Sequence, residues 1–541
     1  MRIPSAVLAS VDHHAVVVAE LSVRNRYLPP PLADRALRAN SEELADRLKT
    51  LMRREFHPSP HDSILARKAG RGSRPLPYIA LEDRLVYRAL VTTLADRFPN
   101  DPGRGDYEAF TRSPLDADGC RYVLKADISA YYQYIDHEQL IDEVVAQTGD
   151  DLAITAVVEL LEGGTGRRFG LPQMQSSSDI LADTYVDPIR RRLALNGHDV
   201  TRYADDFRVA CGNYSDALAS LELIERAAFD LGLVLNEAKT SSPSRDTYEE
   251  SLSEVPRAER QLFDQLAEEG VQVEDFYASD GDTYADTDTT EEFGAGIEFE
   301  GLPGLEHDEV DPDDETGQPE APQYEQLEVA NRVVTMWHSD EGTKYGWSGS
   351  VWSAMLRKSL YTLEIGRDDR AVASAISLLV REPHLTPQVS NYLIAVGQGD
   401  PDQISIMLDE LCGSNVVSPW QSLWVAFVAG SIPRRFRSSE HANWLRGQTD
   451  SSHAAVSAQA ALALARRRSL PVEMAARVYE RAPQAHRPTV ALALAAAHGV
   501  ADTDFGHANQ LEGWLRDWVK TQRWGRRRTA EQVPRRRRVQ S

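Results

Sequence analysis

The sequence predicts an α+β domain followed by an all-helical domain, and three observations carry this prediction. Between residues 121 and 240, short strand-like stretches alternate with amphipathic helical stretches, the order of a layer in which one sheet backs onto helices. From about Gln323 onward, nearly every apolar stretch has helical spacing. An acidic stretch, Asp280 to Glu320, separates the two parts and has too few apolar residues to form a core.

The net charge of the 541 residues is −24, which is unusual for a protein that handles nucleic acid until it is mapped along the chain. The stretch from Asp280 to Glu320 holds 16 acidic residues and no Lys or Arg. Without it, the rest of the chain carries a net charge of −8. The excess negative charge is concentrated in this one stretch, so the net charge of the chain says little about its partners. The length allows two to four domains.

The cysteines and the apolar stretches indicate the cellular compartment. Cys120, Cys211 and Cys412 are widely spaced and form no CxxC pair, which argues against a disulfide framework or a zinc module. The N-terminal apolar stretch is too short for a signal peptide, and no stretch of about 18 apolar residues occurs. We expect a cytoplasmic protein without a membrane span.

A predicted β-hairpin carries the most informative residues of the chain. Val200 leads into Tyr203-Ala-Asp-Asp206, and Phe207, Val209 and Cys211 then alternate as a strand with one buried face would. The turn places two carboxylates side by side, where they repel each other. A divalent cation such as Mg²⁺ is the usual reason to keep such a pair. A solvated acidic turn is the plainer alternative.

Four other stretches accompany this hairpin in a fixed order. The basic, glycine-rich tract from Ala66 to Tyr78 combines cations that neutralise phosphate with glycines that let the backbone approach a ligand. A strand from Tyr122 to Ile128 carries Asp127 near its end. Gly170-Leu-Pro-Gln173 follows, within a glycine-rich stretch, Gly163–Pro172, that is predicted to be a loop or short hairpin. Leu235-Asn-Glu-Ala-Lys-Thr240 comes after the β-hairpin, in a predicted short strand and turn from Val234 to Thr240. Each stretch alone has an ordinary explanation, such as a solvated loop, a helix cap or a surface acid.

Taken together, these stretches fit two-metal phosphoryl transfer. That chemistry requires carboxylates from separate strands to converge on two cations about 3.5–4 Å apart. One cation activates a 3′-hydroxyl, and the other holds the triphosphate and the leaving pyrophosphate. Asp127 and Asp205 would supply the bridging ligands, and Asp206 would assist them.

At this point the chain resembles the reverse transcriptase family. Its four palm motifs are similar, in order, to Asp127-Ile-Ser-Ala-Tyr-Tyr132, Gly170-Leu-Pro-Gln173, Tyr203-Ala-Asp-Asp206 and Leu235-Asn-Glu-Ala-Lys-Thr240. The tract from Ala66 to Tyr78, followed by Asp83-Arg-Leu-Val86, resembles the fingers. The resemblance covers roughly residues 50–245. It implies a right-hand polymerase with fingers and palm, an RNA-directed DNA polymerase of the nucleotidyltransferase class.

The resemblance assigns metal and catalytic roles. Asp127, Asp205 and Asp206, with the backbone carbonyl of Ile128, would bind two Mg²⁺ ions, or Mn²⁺ in their place. Lys239 would lie near the leaving pyrophosphate, with a surface lysine as the alternative.

The resemblance also assigns a nucleotide pocket. Arg74, with Lys68 or Arg71, would grip the triphosphate, and Gln173 would line the pocket. Tyr132 would block a ribose 2′-hydroxyl and so favour deoxynucleotides, unless it is simply a core tyrosine.

One residue departs from the family pattern. Family members usually have glycine after the glutamine of the second motif, and this chain has Met174. A bulky side chain at this position would crowd the contact between template and nucleotide. Templating is therefore expected to be altered, selective or absent.

The C-terminal part is predicted to contain stacked helix pairs of the α-solenoid type, with an irregular bundle as the alternative. The predicted helices are Ala371–Arg381, Pro387–Val396, Pro401–Leu411, Ser418–Ala429, Ala454–Arg467, Pro471–Arg481 and Thr489–His498. The predicted domains are fingers and palm (1–245), a helical connector (246–279), an acidic linker or insertion (280–322), a helical-repeat domain (323–520) and a basic tail (521–541).

A palm followed by helical repeats resembles the abortive-infection and defence-associated reverse transcriptases of bacteria. This resemblance implies antiviral defence, with dNTPs as substrates and an RNA template or DNA product as partner. Synthesis without a template or primed by the protein, a homo-oligomer, and a phage or host protein bound by the repeats are further expectations. Two alternatives stay open: an RNA-binding scaffold derived from a polymerase, and a protein like an intron maturase.

Overall fold

The structure, a computed structural model, describes residues 1–70, 72–95, 97–98, 106–268, 322–339, 346–413, 418–432, 440–498 and 510–522. The predicted acidic linker, apart from residue 322, and residues 523–541 of the predicted basic tail lie outside these ranges, as does Arg71. The described chain is a mixture of helix and strand in which helix predominates. Within it, no helix is both long enough and apolar enough to cross a membrane.

The N-terminal part consists of helices around one β-hairpin. Its elements are α1 (Ser5–Leu8), α2 (His13–Ser22), α3 (Leu32–Leu37), α4 (Ser41–Met52), β1 (Asp62–Arg67), β2 (Ser73–Tyr78) and α5 (Leu81–Ala95). The basic tract, for which the sequence suggests a loop, is an antiparallel hairpin. The sequence does not predict strand β2, because Pro75 and Pro77 lie within it and proline is uncommon in strands. They are two residues apart in β2 and so share one side of it, the side facing away from β1, where no ladder hydrogen bond is needed.

The next part is a three-stranded antiparallel sheet in the order β3-β5-β4. Its elements are α6 (Tyr107–Asp116), β3 (Tyr122–Asp127), α7 (His137–Thr148), α8 (Asp151–Thr165), α9 (Ser176–Leu195), β4 (Asp199–Tyr203), β5 (Asp206–Cys211), α10 (Tyr214–Asp230), α11 (Arg245–Leu252) and α12 (Glu254–Glu268). Helices α9 and α10 pack on the sheet, as does α6. Phe207, Val209 and Cys211 are buried in the main core, so the alternation in the sequence located the inner face correctly.

Two local predictions in this part are wrong. Gly163 and Gly164, expected in a loop or short hairpin, belong to α8. They serve close packing: a Cβ on Gly164 would lie 2.3 Å from Nε2 of His61, so only glycine lets the helix approach this ring. The strand expected at 234–240 is reduced to isolated bridges, Leu235 with Ile128 and Ser241 with Lys125.

The C-terminal part is helical wherever the structure describes it. Its helices are α13 (Tyr324–His338), α14 (Gly349–Gly366), α15 (Ala375–Arg381), α16 (Thr386–Gly399), α17 (Pro401–Gly413), α18 (Pro419–Ser431), α19 (Glu440–Gln448), α20 (Ala454–Arg466), α21 (Val472–Arg481), α22 (Arg487–His498) and α23 (Gln510–Thr521). Helices α14, α16, α18, α20 and α22 pack each against the next in one row, and α17 packs on α19 beside that row. This stacking agrees with the predicted helix pairs.

The C-terminal helices also contact the N-terminal part. Helices α22 and α23 pack on α3, and α18 packs on β1. His486, between α21 and α22, has its Nε2 2.8 Å from a carboxylate oxygen of Asp62 at the start of β1, and its ring lies 4.5 Å from that of Tyr78 at the end of β2. The β1–β2 hairpin is therefore held at its base by helices that follow it by about 400 residues.

Candidate active site

The β4–β5 hairpin has the tight turn that the sequence predicts. Tyr203 and Asp206 are paired across the two strands, so Ala204 and Asp205 form the turn. Ala204 has a φ of +49°, a left-handed conformation that costs a residue with a side chain about 1–2 kcal/mol. Nη1 of Arg202 donates to the Ala204 carbonyl at 3.1 Å and lies 3.2 Å from a carboxylate oxygen of Asp183. The buried guanidinium of Arg202 thus holds the turn in its strained conformation.

This turn brings three carboxylates to one end of the sheet. Asp127, the last residue of β3, stands opposite Asp206, the first residue of β5. The backbone N–H of Ile128 donates to the carbonyl of Asp205 at 3.2 Å, which draws the turn against the end of β3. We call Asp127, Asp205 and Asp206 the carboxylate edge. Adjacent strands with aligned ends account for this proximity, although 78 residues separate Asp127 from Asp205.

The carboxylates of this edge are hard to ionise together. Burial, followed by the charges of Asp127 and Asp206, raises the pKa of Asp205 to about 8. Burial also raises the pKa of Asp206, although the neighbouring Arg208 guanidinium opposes that shift. Acids whose charges repel in a poorly solvated place gain stability from a nearby cation.

Cationic and amide side chains already stand beside two of the acids. Nζ of Lys239 lies 3.4 Å from one carboxylate oxygen of Asp127, and Nδ2 of Asn236 donates to the other at 3.0 Å. Nη1 of Arg208 lies 3.4 Å from Asp206. The structure thus places Lys239 at the carboxylate edge. Sequence reasoning assigned no role to Asn236, although it lies in the quoted 235–240 motif, or to Arg208, a charged residue inside a strand.

The donor chemistry at this edge fits a hard divalent cation, because carboxylate and carbonyl oxygens are the ligands that Mg²⁺ prefers. A cation would also relieve the repulsion that raises the pKa of Asp205. Among the described residues, no three His, Cys, Asp or Glu side chains are gathered into a ready metal cluster. The carboxylate edge thus offers the right kind of donor atoms, although they are not gathered into such a cluster.

Tyr132 and Gln173 lie together on the segments that follow β3 and α8. The Leu171 N–H donates to the Tyr132 carbonyl at 2.7 Å. The Tyr132 side chain is buried, and its hydroxyl donates to Asp179 at 2.5 Å. The Oε1 of Gln173 is a buried acceptor without a hydrogen-bond partner among the residues that the structure describes. An acceptor left in that condition in a native protein calls for a ligand or a water.

Arg74 lies on β2 and faces the residue after Gln173. Its Nη1 is 3.9 Å from the sulfur of Met174, and it donates to the hydroxyl of Tyr27 at 3.2 Å. Its guanidinium is 5.0 Å from the centre of the Tyr27 ring. We call Arg74 and Tyr27 the arginine side. Tyr27 was missed from the sequence, where it lies in an unremarkable loop.

The structure says less about Lys68 and Arg71, the other two residues predicted to bind the triphosphate. Lys68 lies at the tip of the β1–β2 hairpin, where its N–H donates to the carbonyl of Gly72 at 3.1 Å. Arg71 lies outside the described residues.

Met174, the departure from the family pattern, keeps a glycine-like backbone. Its φ is +61°, in the left-handed region that glycine adopts freely and other residues rarely adopt. A glycine at this position would adopt the same φ without strain.

Comparison with known proteins identifies the segment that contains these residues. Residues 66–252, about a third of the chain, match the family model described as reverse transcriptase (RNA-dependent DNA polymerase). An alignment over 157 residues, which covers 26% of this chain, is 29% identical to the "Uncharacterized 91 kDa protein in cob intron" of Schizosaccharomyces pombe. The chain spans about a fifth (19%) of the length of that curated relative. Residues 66–252 thus form a segment that is similar to reverse transcriptases.

Proposed function

We propose that this chain synthesises DNA by adding deoxynucleotides to a 3′-hydroxyl. The observation that carries the proposal is the carboxylate edge, where Asp127 and Asp206 stand opposite each other on adjacent strands and the pKa of Asp205 is raised to about 8. Three acids at one sheet end, inside a segment that matches reverse transcriptases, are the ligand set of two-metal phosphoryl transfer.

The residues of the edge divide the work in this proposal. Asp127 and Asp205 would be the principal ligands of the two cations, and Asp206 and the Ile128 carbonyl would complete the ligand set. Two Mg²⁺ ions, or Mn²⁺ in their place, would supply Lewis-acid activation of the hydroxyl and neutralise the pyrophosphate. Asp205 would hold a cation in its ionised form, and the charge of the cation would offset the burial and repulsion that raise its pKa. Lys239, whose Nζ is 3.4 Å from Asp127, would be within reach of a triphosphate bound at the same edge.

The nucleotide pocket in this proposal lies between Arg74, Tyr132 and Gln173. Arg74 binds the triphosphate with its planar guanidinium, helped by Lys68 or Arg71. The buried ring of Tyr132 excludes a ribose 2′-hydroxyl, and the unpartnered Oε1 of Gln173 accepts a hydrogen bond from the substrate.

The proposal extends to antiviral defence in bacteria, where the helical region binds a phage or host protein or a second copy of the chain. Support comes from the stacked helices α14 to α22 that follow the polymerase segment. Met174 beside Arg74 supports synthesis in which templating is altered, selective or absent, with priming by the protein itself as one form.

The decisive experiment supplies the purified full-length chain with Mg²⁺ or Mn²⁺ and labelled dNTPs, with and without RNA or a primer–template. Protease treatment of the product follows. Product that depends on template, product without template, and product that shifts after protease separate the three modes of synthesis. The Asp205→Ala, Asp206→Ala double variant is expected to make none. Synthesis retained by this variant would contradict the metal assignment.

A second candidate function follows from the name of the matched relative, a protein in the cob intron. On this hypothesis the chain binds a structured intron RNA, as a maturase does. Filter binding to intron RNA and to an unstructured RNA of equal length tests it. Tight binding to the intron RNA alone would favour this function over defence.

A third candidate is an RNA-binding scaffold that no longer synthesises DNA. Binding of RNA by a chain that makes no product under any of the conditions above would favour it. The retention of all three acids of the carboxylate edge argues against it.

A further inference from the structure

Three parts of the chain that are distant in sequence meet at Tyr27. Its side chain contacts β2, and its backbone contacts α18, which follows it by nearly 400 residues. No functional motif of the sequence includes it.

The backbone of Tyr27 is fixed from both sides. Its N–H donates to the side chain of Asn25 at 3.0 Å. Its carbonyl accepts two hydrogen bonds from indole nitrogens of α18, Trp420 at 2.6 Å and Trp424 at 3.1 Å. The two tryptophans are four residues apart and so lie on one face of the helix. Both are almost fully buried, so both lone pairs of this carbonyl are used in a place that water does not reach.

The side chain of Tyr27 gathers two arginines. Nη1 of Arg74 donates to its hydroxyl at 3.2 Å, and Nη2 of Arg26 does so at 3.4 Å. Their guanidinium carbons lie 5.0 Å and 5.2 Å from the ring centre, within the range of cation–π attraction. The ring thus offsets part of the repulsion between two cations and fixes where Arg74 can stand.

We infer that Tyr27 is a positioning residue for Arg74, and that Trp420 and Trp424 of α18 hold Tyr27 in place, so that the C-terminal helices complete the nucleotide site. The inference rests on the proposed function, because Arg74 is taken to bind the triphosphate. On this inference the helical region contributes to substrate binding, in addition to binding any partner.

A consequence is that displacement of α18 changes nucleotide affinity. The path runs from the indole N–H groups to the Tyr27 carbonyl, from the Tyr27 hydroxyl to Arg74, and from Arg74 to Met174 beside Gln173. Each contact is direct, and none passes through the carboxylate edge. The chemical step should therefore be spared when the path is broken, and substrate binding should be weakened.

The test uses the full-length chain and a Trp420→Phe, Trp424→Phe double variant, which keeps the aromatic bulk and removes both N–H donors. We expect KM for dNTP to rise about fivefold to tenfold, the loss of about one hydrogen bond's worth of positioning, with kcat changed by less than about twofold. Tyr27→Phe, which removes the acceptor of the Arg74 bond, should raise KM by a similar factor. Added to the tryptophan variant it should add little, because the residues act in series.

The matched control is Trp337→Phe. Its indole N–H also donates a single bond, to Glu382 at 3.2 Å, and both residues belong to the C-terminal helices away from Tyr27. This variant should leave KM unchanged. A lower melting temperature with unchanged KM in the Trp420→Phe, Trp424→Phe variant would mean that the tryptophans only stabilise the fold, and it would overturn the inference. An equal KM increase in the control would do the same.

Equilibrium dialysis with labelled dNTP separates this inference from the proposed function. If the wild-type chain binds dNTP and makes no product, the polymerase proposal fails, and the ratio of Kd values between wild type and variants still decides the role of Tyr27. Equal Kd values would overturn the positioning role even if synthesis is robust. A wild-type chain that neither binds nor incorporates dNTP would overturn both.

Discussion

The carboxylate edge and the arginine side of the candidate site are built in different ways. The carboxylate edge lies on one small sheet whose strands come from residues 122–211 and pair with their neighbours in the usual antiparallel register. The arginine side is assembled from a loop at residue 27, a hairpin strand at residue 74 and a helix at residues 419–431. One is fixed by local backbone pairing, and the other by side-chain contacts over hundreds of residues.

This difference separates chemistry from control. A sheet edge places carboxylates with little freedom, which suits metal ligands that must repel one another and still stay together. A residue held by a distant helix moves when that helix moves, which suits a contact that changes substrate affinity. Breaking the first should abolish turnover, and breaking the second should weaken binding.

The largest effect is expected from single substitutions at the carboxylate edge. Asp205→Asn should reduce incorporation by at least about a thousandfold, because a metal ligand is lost where charge develops. It should not lower stability, because it removes a carboxylate whose pKa is raised by burial and repulsion. Primer extension and urea unfolding measure the two effects.

Asp206→Ala should differ from Asp205→Asn in stability alone. It removes the carboxylate beside the buried guanidinium of Arg208, so we expect a loss of about 3 kcal/mol in the free energy of unfolding. Asp118→Asn, an exposed acid just before β3, is the control and should change neither quantity. Equal stability of the two edge variants would show that the Arg208 pair contributes little.

Tyr132, which is bonded to the loop between α8 and α9, should control the choice of sugar. Tyr132→Ala should increase ribonucleotide use relative to deoxynucleotide use by about tenfold or more, because a steric barrier is lost. Tyr132→Phe should keep the discrimination and lose about 1.5–3 kcal/mol of stability through its bond to Asp179. Competition assays with paired dNTP and rNTP measure the ratio. Unchanged discrimination in the alanine variant would mean that Tyr132 is a core tyrosine.

Met174 contacts the arginine side through Arg74, and its replacement should have a smaller effect. Met174→Gly keeps the backbone path, because glycine adopts a φ of +61° without strain, and it removes the side chain that contacts Arg74. We expect the ratio of templated to untemplated incorporation to rise by less than about tenfold, because crowding is relieved and no charge changes.

Arg468→Gly is the matched control for Met174→Gly. Arg468 has a φ of +53°, so its replacement by glycine also relieves about 1 kcal/mol of backbone strain, in this case in the C-terminal helical part. It should leave the templating ratio unchanged. A fall in templated incorporation in Met174→Gly would show that the methionine supports the template.

The same contrast explains what the sequence could predict. Alternating apolar residues identified the β4–β5 hairpin, and proline and glycine marked helices such as α17 and α20 to within two residues. Their determinants are local. The β1–β2 hairpin was missed because Pro75 and Pro77 are tolerated only in an edge strand, and edge position is a property of the fold.

Long-range contacts were beyond sequence reasoning for a further reason. Trp420 and Trp424 donate hydrogen bonds to the backbone carbonyl of Tyr27. Every residue has such a carbonyl, so the identity of residue 27 does not predict these bonds. The glycine-rich stretch that contains Gly164 predicts a loop or short hairpin, and the residue that Gly164 packs against, His61, is about 100 residues away in the sequence. Asn236 and Arg208 gave a signal, as polar residues inside or beside a motif, that only the register of β3 and β5 makes interpretable.

The smallest effects come from two buried carboxyl groups, and they test whether the two regions unfold together. Burial raises the pKa of Asp83, on α5, to about 7 and that of Glu364, on α14, to about 8. Unfolded carboxyl groups titrate near pH 4, so between pH 4 and 8 the folded chain binds more protons than the unfolded chain. Stability from these groups is therefore lost as pH rises through that window.

Asp83→Asn and Glu364→Gln remove this loss, because an amide carries no proton to release. The melting temperature of each variant should match that of the wild type near pH 4 and exceed it by a few degrees at pH 8, measured by calorimetry across the range. Glu222→Gln, an exposed acid on α10, should follow the wild-type curve throughout. If α18 binds the N-terminal part as tightly as its contacts with β1 and Tyr27 indicate, both variants shift one shared transition. Two transitions, each shifted by one variant, would mean that the helical region unfolds separately. The coupling of α18 to Arg74 would then be lost before the polymerase sheet melts.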